Sequence, residues 1–357
     1  MKKELIIKKP IIDVYNGYAS IQSIILNVEY GNKWCIQHYL NYITYCDKDY
    51  KNIFMDYVNL GEVCFSSTNS FQPQHLCTVP WKTFILPRKL INGNIISFIK
   101  KSIDEGYYIF LYLNFKYLLN EGKDYIHDIF IYGYDDEKEY IFMKGYNKGK
   151  YGTEIYRFEQ VEKAYNNVDV CDHNDFFVNF DVESISLVKC DETFVYEFSV
   201  NHFIENLELY LNDKKYVLNY YPTVLKNRNY NNSIVSFGNE GIEILKKYVE
   251  KKYEKKEKID FRQLYFLKNN KEGFRYKWFF LLQNDLLRCE KLLEDWSNVE
   301  KKAQIILALT IKYNYILDKK YDVKYSVIKK IIKNLEDLKT MEEYIIRDVI
   351  IKLKKYK

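Results

Sequence analysis

The chain has 357 residues, 47% of them apolar and 29% charged, with 5 Pro and 13 Gly. Such a composition excludes wholesale disorder, a collagen-like repeat and a disulfide-stapled miniprotein, and leaves room for one large or two ordinary cores. The 54 Lys and Arg against 49 Asp and Glu give a net charge of +5, too small an excess to argue for nucleic acid without a concentrated basic patch.

The basic start Met1-Lys2-Lys3 is followed by Glu4 and then Lys8-Lys9-Pro10, so no signal peptide is read there. No window approaches 18 consecutive apolar residues. Seven Cys, at 35, 46, 64, 77, 171, 190 and 289, are scattered without a CxxC pair. They suit free thiols in a reducing compartment, and a cytoplasmic, membrane-free protein is expected. Segment 33–45 places Ile36, Leu40 and Ile43 at helical spacing, with Asn32 as N-cap. Segment 107–113 is strongly β-prone. A hairpin follows, His127 to Gly133 returning through 134–138 into Glu139 to Met143, with Gly133 expected opposite Tyr140.

Stretches around Ile185 and at 194–197 are also β-prone. After Ser199 the pattern turns helical, with Phe203, Leu207 and Leu211 on one stripe and a break at Pro222. The Lys-Glu-rich run 246–258 reads as an exposed helical face, and 299–316 and 327–353 as packed helices. The fold class is therefore α+β, divided into an α+β domain over 1–198 and a mostly helical accessory or lid domain over 199–357.

Chemistry has one candidate nucleophile in this reading. Cys35, near the expected helix start, would gain thiolate character from free backbone N–H groups and the helix dipole. His127, opening the hairpin strand, is the candidate base. Trp34-Cys35-Ile36-Gln37-His38-Tyr39-Leu40, followed by His127-Asp128-Ile129-Phe130-Ile131-Tyr132-Gly133-Tyr134-Asp135-Asp136, resembles the papain-like cysteine enzymes. Within them it is most similar to the butirosin biosynthesis protein H type N-terminal domain, related to the C39-like peptidases. The resemblance covers about residues 10–170 and includes Cys46-Asp47-Lys48-Asp49-Tyr50 and Leu111 to Leu118.

The resemblance implies a papain-like fold and an acyltransferase of secondary-metabolite assembly, similar in type to the ATP-independent amide-forming enzymes of polythioamide (closthioamide) biosynthesis. Cys35 would attack a thioester on the phosphopantetheine arm of an acyl or peptidyl carrier protein. His127 would take the thiol proton, and an amine, on a small molecule or a second carrier, would resolve the acyl-enzyme. No cofactor, metal, nucleic acid or membrane enters this scheme. A cysteine peptidase or thioesterase, and a non-catalytic papain-like protein that binds a carrier or peptide, are the alternatives.

The third member of a triad falls on Asn147, because the expected register sets His127 opposite Tyr146, one residue away. Asn114 and Asp128 are alternatives, although Asp128 would point away from His127 on a regular strand. For the oxyanion, Glu29 at the six-residue spacing would repel charge, leaving Asn32 or Gln22. A second helix-head pattern, Tyr18-Ala19-Ser20-Ile21-Gln22-Ser23, sets Ser20 in the nucleophile position. Cys171 and His173 lack a second ligand pair for a metal, His38 reads as a packing residue, and Tyr117, Tyr132 and Tyr134 as structural or as walls of an acyl channel.

Overall fold

The computed structural model describes residues 1–58, 79–91, 93–120, 122, 124–147, 150–168, 182–212, 233–321 and 324–355. In chain order the strands are β1 (Lys2–Glu4), β2 (Asn41–Asp47), β3 (Ile53–Val58), β4 (Trp81–Pro87), β5 (Tyr108–Asn114), β6 (Ile126–Asp135), β7 (Tyr140–Asn147), β8 (Lys150–Arg157), β9 (Ser184–Cys190) and β10 (Ser233–Phe237). The helices are α1 (Asn16–Ile25), α2 (Glu29–Gln37), α3 (Ile95–Asp104), α4 (Phe115–Leu119), α5 (Phe158–Asn166), α6 (Val200–Leu211), α7 (Gly241–Glu254), α8 (Phe261–Gln283), α9 (Leu292–Asp318) and α10 (Tyr325–Lys355). The architecture is mixed α+β with a helix-rich C-terminal stretch. The chain forms two compact units, Met1–Trp34 with Phe65–Glu197, and Cys35–Cys64 with Phe198–Lys357. Residues 35–64 thus group with the C-terminal part, and the dividing point lies inside α2.

The first unit is built on a sheet in the order β4-β9-β5-β6-β7-β8, with β1 also paired to β6, and its pairs are antiparallel. Alternation along the strands turns Ile109, Leu111 and Leu113 of β5, Ile129 and Ile131 of β6 and Ile141 and Met143 of β7 into one core. Ile95, Ile99 and Ile103 of α3 and Val161 and Ala164 of α5 complete that core. Asn94 caps α3 by accepting from the Ser97 N–H, as its position before the first apolar turn predicts.

The hairpin of β6 and β7 forms, but its register differs from the expected one. Tyr140 lies opposite Asp135 and Gly133 opposite Phe142, with an irregularity between Ile131 and Gly133. Asp135 causes the shift: its Oδ1 accepts from the N–H groups of Glu137 and Lys138, tightening the turn to fewer residues than 134–138. At Gly133 a Cβ would come within 2.7 Å of the Lys3 carbonyl oxygen, so the close passage of β1 requires glycine there.

In the second unit β10-β2-β3 is an antiparallel sheet, and α8, α9 and α10 pack in succession. Ser199 caps α6, whose Phe203, Leu207 and Leu211 are buried as the stripe predicted. Phe274 and Trp278 of α8 meet Trp296 of α9 at 5.2 and 5.4 Å between ring centroids. Residues 194–197, read as β-prone, carry no strand. No described helix is long and apolar enough to cross a membrane.

The helix expected over 33–45 is corrected. α2 runs over 29–37, so Asn32 lies inside it and not at its N-cap position, and residues 41–47 are strand β2. Gly31, inside α2, packs against the end of α1 so tightly that a Cβ would sit 1.8 Å from the Ile25 carbonyl oxygen. Tyr39 adopts a φ of 55°, ending the helix, and Tyr42, Thr44 and Cys46 pair with β3 and β10, where aromatic and β-branched residues are at home.

Candidate functional site

Cys35 therefore occupies the last turn of α2, where the helix dipole opposes a thiolate. It is buried to 1% exposure, and burial pushes its thiol up to about 12, against the lowering effect of the Lys277 charge. Lys277 of α8 is itself buried, and burial holds its ammonium down to about 7. Its Nζ donates to the carbonyl oxygens of Cys35, Ile36 and His38 at 2.8, 2.9 and 2.5 Å. These three bonds satisfy carbonyls that the end of α2 leaves open, so Lys277 is a helix C-terminal cap supplied from α8. His38 is accordingly a buried packing residue beside this cap.

His127 belongs to the first unit and Cys35 to the second, so neither unit by itself joins them. Around His127 the first unit gathers a different set. Asp128 Oδ1 lies 2.6 Å from His127 Nδ1, and the Asp128 carbonyl oxygen lies 3.0 Å from the same nitrogen. The expectation that Asp128 points away from His127 is corrected: although both residues pair regularly with β5, the Asp128 carboxylate reaches the imidazole of its neighbour. Burial alone would lower the imidazolium pKa, but the charge and hydrogen bond of Asp128 outweigh it and raise it to about 9. His127 is thus protonated at neutral pH and has no proton to accept. Its Nε2 makes no hydrogen bond among the described residues, and 27% of the side chain is exposed. The rings of Phe115 and Tyr125 flank it at 5.9 and 5.4 Å.

From Asp128 a polar relay runs into α1. Asn16, the first residue of that helix, donates from Nδ2 to the Asp128 carbonyl at 3.0 Å. Ser20 Oγ donates to Asn16 Oδ1 at 3.2 Å and lies 3.4 Å from the Tyr151 hydroxyl of β8. Because the Ser20 proton goes to an amide oxygen, nothing in this arrangement activates Ser20 as a nucleophile. Lys144 of β7 lies over the Tyr151 ring at 5.7 Å, and burial lowers its ammonium pKa. Asn16, Tyr151, Lys144 and Lys277 escaped the sequence reading. Only Lys277 had a signal, since it falls on the Phe274-Trp278-Leu281 stripe of α8, where a lysine must be buried with partners.

The remaining candidates separate. Asn147 ends β7, and its side chain lies outside the described residues. Asn114 caps α4 and donates to Asp124 Oδ1 and the Asn167 carbonyl. Gln22 is buried with its Oε1 accepting from the N–H groups of Ile11 and Ile12, both at 2.9 Å. Glu29 begins α2 and lies 3.6 Å from Lys33 Nζ. Tyr134 donates to Asp104 Oδ1, which makes it structural. Cys64, Cys77, Cys171 and His173 lie outside the described residues. Among the described residues no three of His, Cys, Asp and Glu gather as a metal site. No family model matches this chain, and no curated protein matches it.

Proposed function

We propose that this protein is a binding protein that takes an anionic group at the His127–Asp128 pair, a non-catalytic counterpart of the papain-like enzymes its sequence resembles. The observation that carries this reading is the 2.6 Å contact to Asp128, which keeps His127 an imidazolium, a donor to an anion and not a base. The phosphodiester of a carrier-protein phosphopantetheine arm is the ligand that the resemblance and this charge together favour. Titrating phosphopantetheine, inorganic phosphate and acetate against the protein, with the His127 imidazole followed by NMR, tests it. Phosphopantetheine should shift the His127 signals in wild type, with the response abolished in His127→Gln. If none of the three anions moves them, the reading fails.

Amide formation through a Cys35 acyl-enzyme from a carrier thioester, with His127 as base and Asn147 as its orienter, is the second reading. It is favoured by Lys277, whose charge works to lower the Cys35 thiol pKa. It requires a change that exposes this thiol, as does a peptidase or thioesterase using the same residue. Intact mass after incubation with acyl-loaded carriers, compared with Cys35→Ala, separates the readings: an acyl mass on wild type alone would establish transfer.

A further inference from the structure

Four cysteines lie among the described residues, and one differs from the rest in what its sulfur meets. Cys35 and Cys46 are buried. Cys190 is half-buried, its thiol donates to the Ile24 carbonyl oxygen, and burial pushes it up to about 11. Cys289, also half-buried, accepts from the ammonium of Lys352, whose Nζ lies 3.1 Å from its sulfur. A nucleophilic sulfur and a nitrogen able to bond to it therefore meet at one partly solvated place.

Both are held there by backbone that the fold fixes. Cys289 lies in the turn between α8 and α9, where Leu287 and Leu292 are buried on either side of it and its carbonyl accepts from the Leu292 N–H. Lys352 belongs to the last turns of α10, and Asp348, one turn back on the same helix, holds its Nζ at 2.6 Å. The side chains of Lys352 and Asp348 are 36% and 43% exposed, so a small oxidant reaches the pair. The contact joins positions 63 apart in the chain, and the His127 reading makes no use of it.

We propose that Cys289 and Lys352 form a redox-controlled cross-link, a sulfenamide bond between Sγ and Nζ made by the action of a hydroperoxide. The sulfur attacks one peroxide oxygen: an S–O bond forms, the O–O bond breaks, and the thiol proton leaves with the second oxygen as water or an alcohol. This two-electron oxidation makes Cys289 a sulfenic acid, a species that condenses with nitrogen as well as with thiols. Lys352 then attacks the sulfur: an N–S bond forms, the S–OH bond breaks, and the hydroxyl leaves with an amine proton as water. The hydrogen bonds of Asp348 and Cys289 raise the Lys352 pKa, so the ammonium must first give up a proton, which Asp348 is placed to pass to solvent. Cysteine and uncharged lysine together lose two hydrogens. Two equivalents of a thiol reverse the bond, leaving as their disulfide and restoring thiol and amine. Because the bond ties the turn before α9 to the end of α10, it holds the chain against unfolding as a disulfide over that span would.

The experiment treats the full chain with stoichiometric hydrogen peroxide, with and without dimedone, and maps its peptides by mass. Without dimedone the Cys289 peptide should be joined to the Lys352 peptide, two hydrogens lighter than their sum, and dithiothreitol should separate them. The thermal midpoint should rise on oxidation and fall back on reduction. Lys352→Arg keeps the charge but should give no joined peptide, and dimedone should capture its Cys289 more than in wild type. Cys289→Ser should give neither product. Wild-type Cys289 that ends as the dimedone adduct or the sulfinic acid without any joined peptide, just as in Lys352→Arg, would overturn the proposal. So would a Cys289 that peroxide modifies no faster than Cys190.

Discussion

Asp128 Oδ1 stands 2.6 Å from Nδ1 of His127, its immediate predecessor on β6, and this contact decides the protonation state of the site. The sign of its pH dependence is fixed. The folded-state pKa, about 9, lies above the ordinary 6.5, so the pair stabilises the fold fully below pH 6.5 and its contribution disappears as pH rises through about 9. Thermal midpoints of wild type and Asp128→Asn should differ most near pH 6 and converge above pH 9. The gap at low pH should amount to roughly 3 kcal/mol or less. An NMR titration of Asp128→Asn should also find the His127 pKa below 7, because burial then acts without its counterweight.

Cys35 should behave as a core thiol. A small aromatic disulfide reagent added to native protein at pH 8 should label it only at the rate of unfolding or local opening, because the thiolate is suppressed and the sulfur inaccessible. Labelling within seconds, resolved by peptide mass, would contradict this placement.

Replacing Lys277 by Met removes all three donors from the carbonyl end of α2 while keeping the apolar stem. Buried carbonyls left without partners make this costly, roughly 3 kcal/mol or more. Urea unfolding should show the loss, with the effect of Lys277→Arg depending on whether its wider fork can reach the same oxygens.

Lys271 of α8 and Glu342 of α10 form a wholly buried pair at 2.6 Å, with the Tyr210 hydroxyl bonded to the same carboxylate oxygen. Lys271 also lies over the rings of Tyr42, Tyr210 and Phe274. Either single change, Lys271→Met or Glu342→Leu, strands a charge and should cost about 3 to 5 kcal/mol. The double variant should recover most of that, and a double-mutant cycle from chemical unfolding measures the coupling.

Gly31→Ala should destabilise more than any surface glycine substitution. Its Cβ would meet the Ile25 carbonyl oxygen at 1.8 Å, and because that oxygen is backbone and cannot swing aside, α2 would have to shift. By contrast, Gly152→Ala has nothing within 4 Å and should be close to neutral, a comparison that thermal unfolding of the two variants settles.

Local pattern alone determined the α+β class, a strand at 107–113 that β5 matches to within one residue, the hairpin after His127 and the helices of the C-terminal stretch. Each of these has a periodicity that a short window contains, and β5, α6, α9 and α10 lie where that periodicity put them. Segment 33–45 was misread because its Ile and Leu spacing also suits a helix, and only pairing with β3 and β10, residues 53–58 and 233–237, draws 41–47 into a strand. That one change moved Cys35 from the head of a helix to its tail. The Asp128–His127 contact runs against the alternation of a regular strand, and the relay through Asn16, Ser20 and Tyr151 joins residues more than a hundred positions apart. A charge's effect falls within a few ångströms, so chemistry at such sites is set by distances that no stretch of sequence contains and that folding alone establishes.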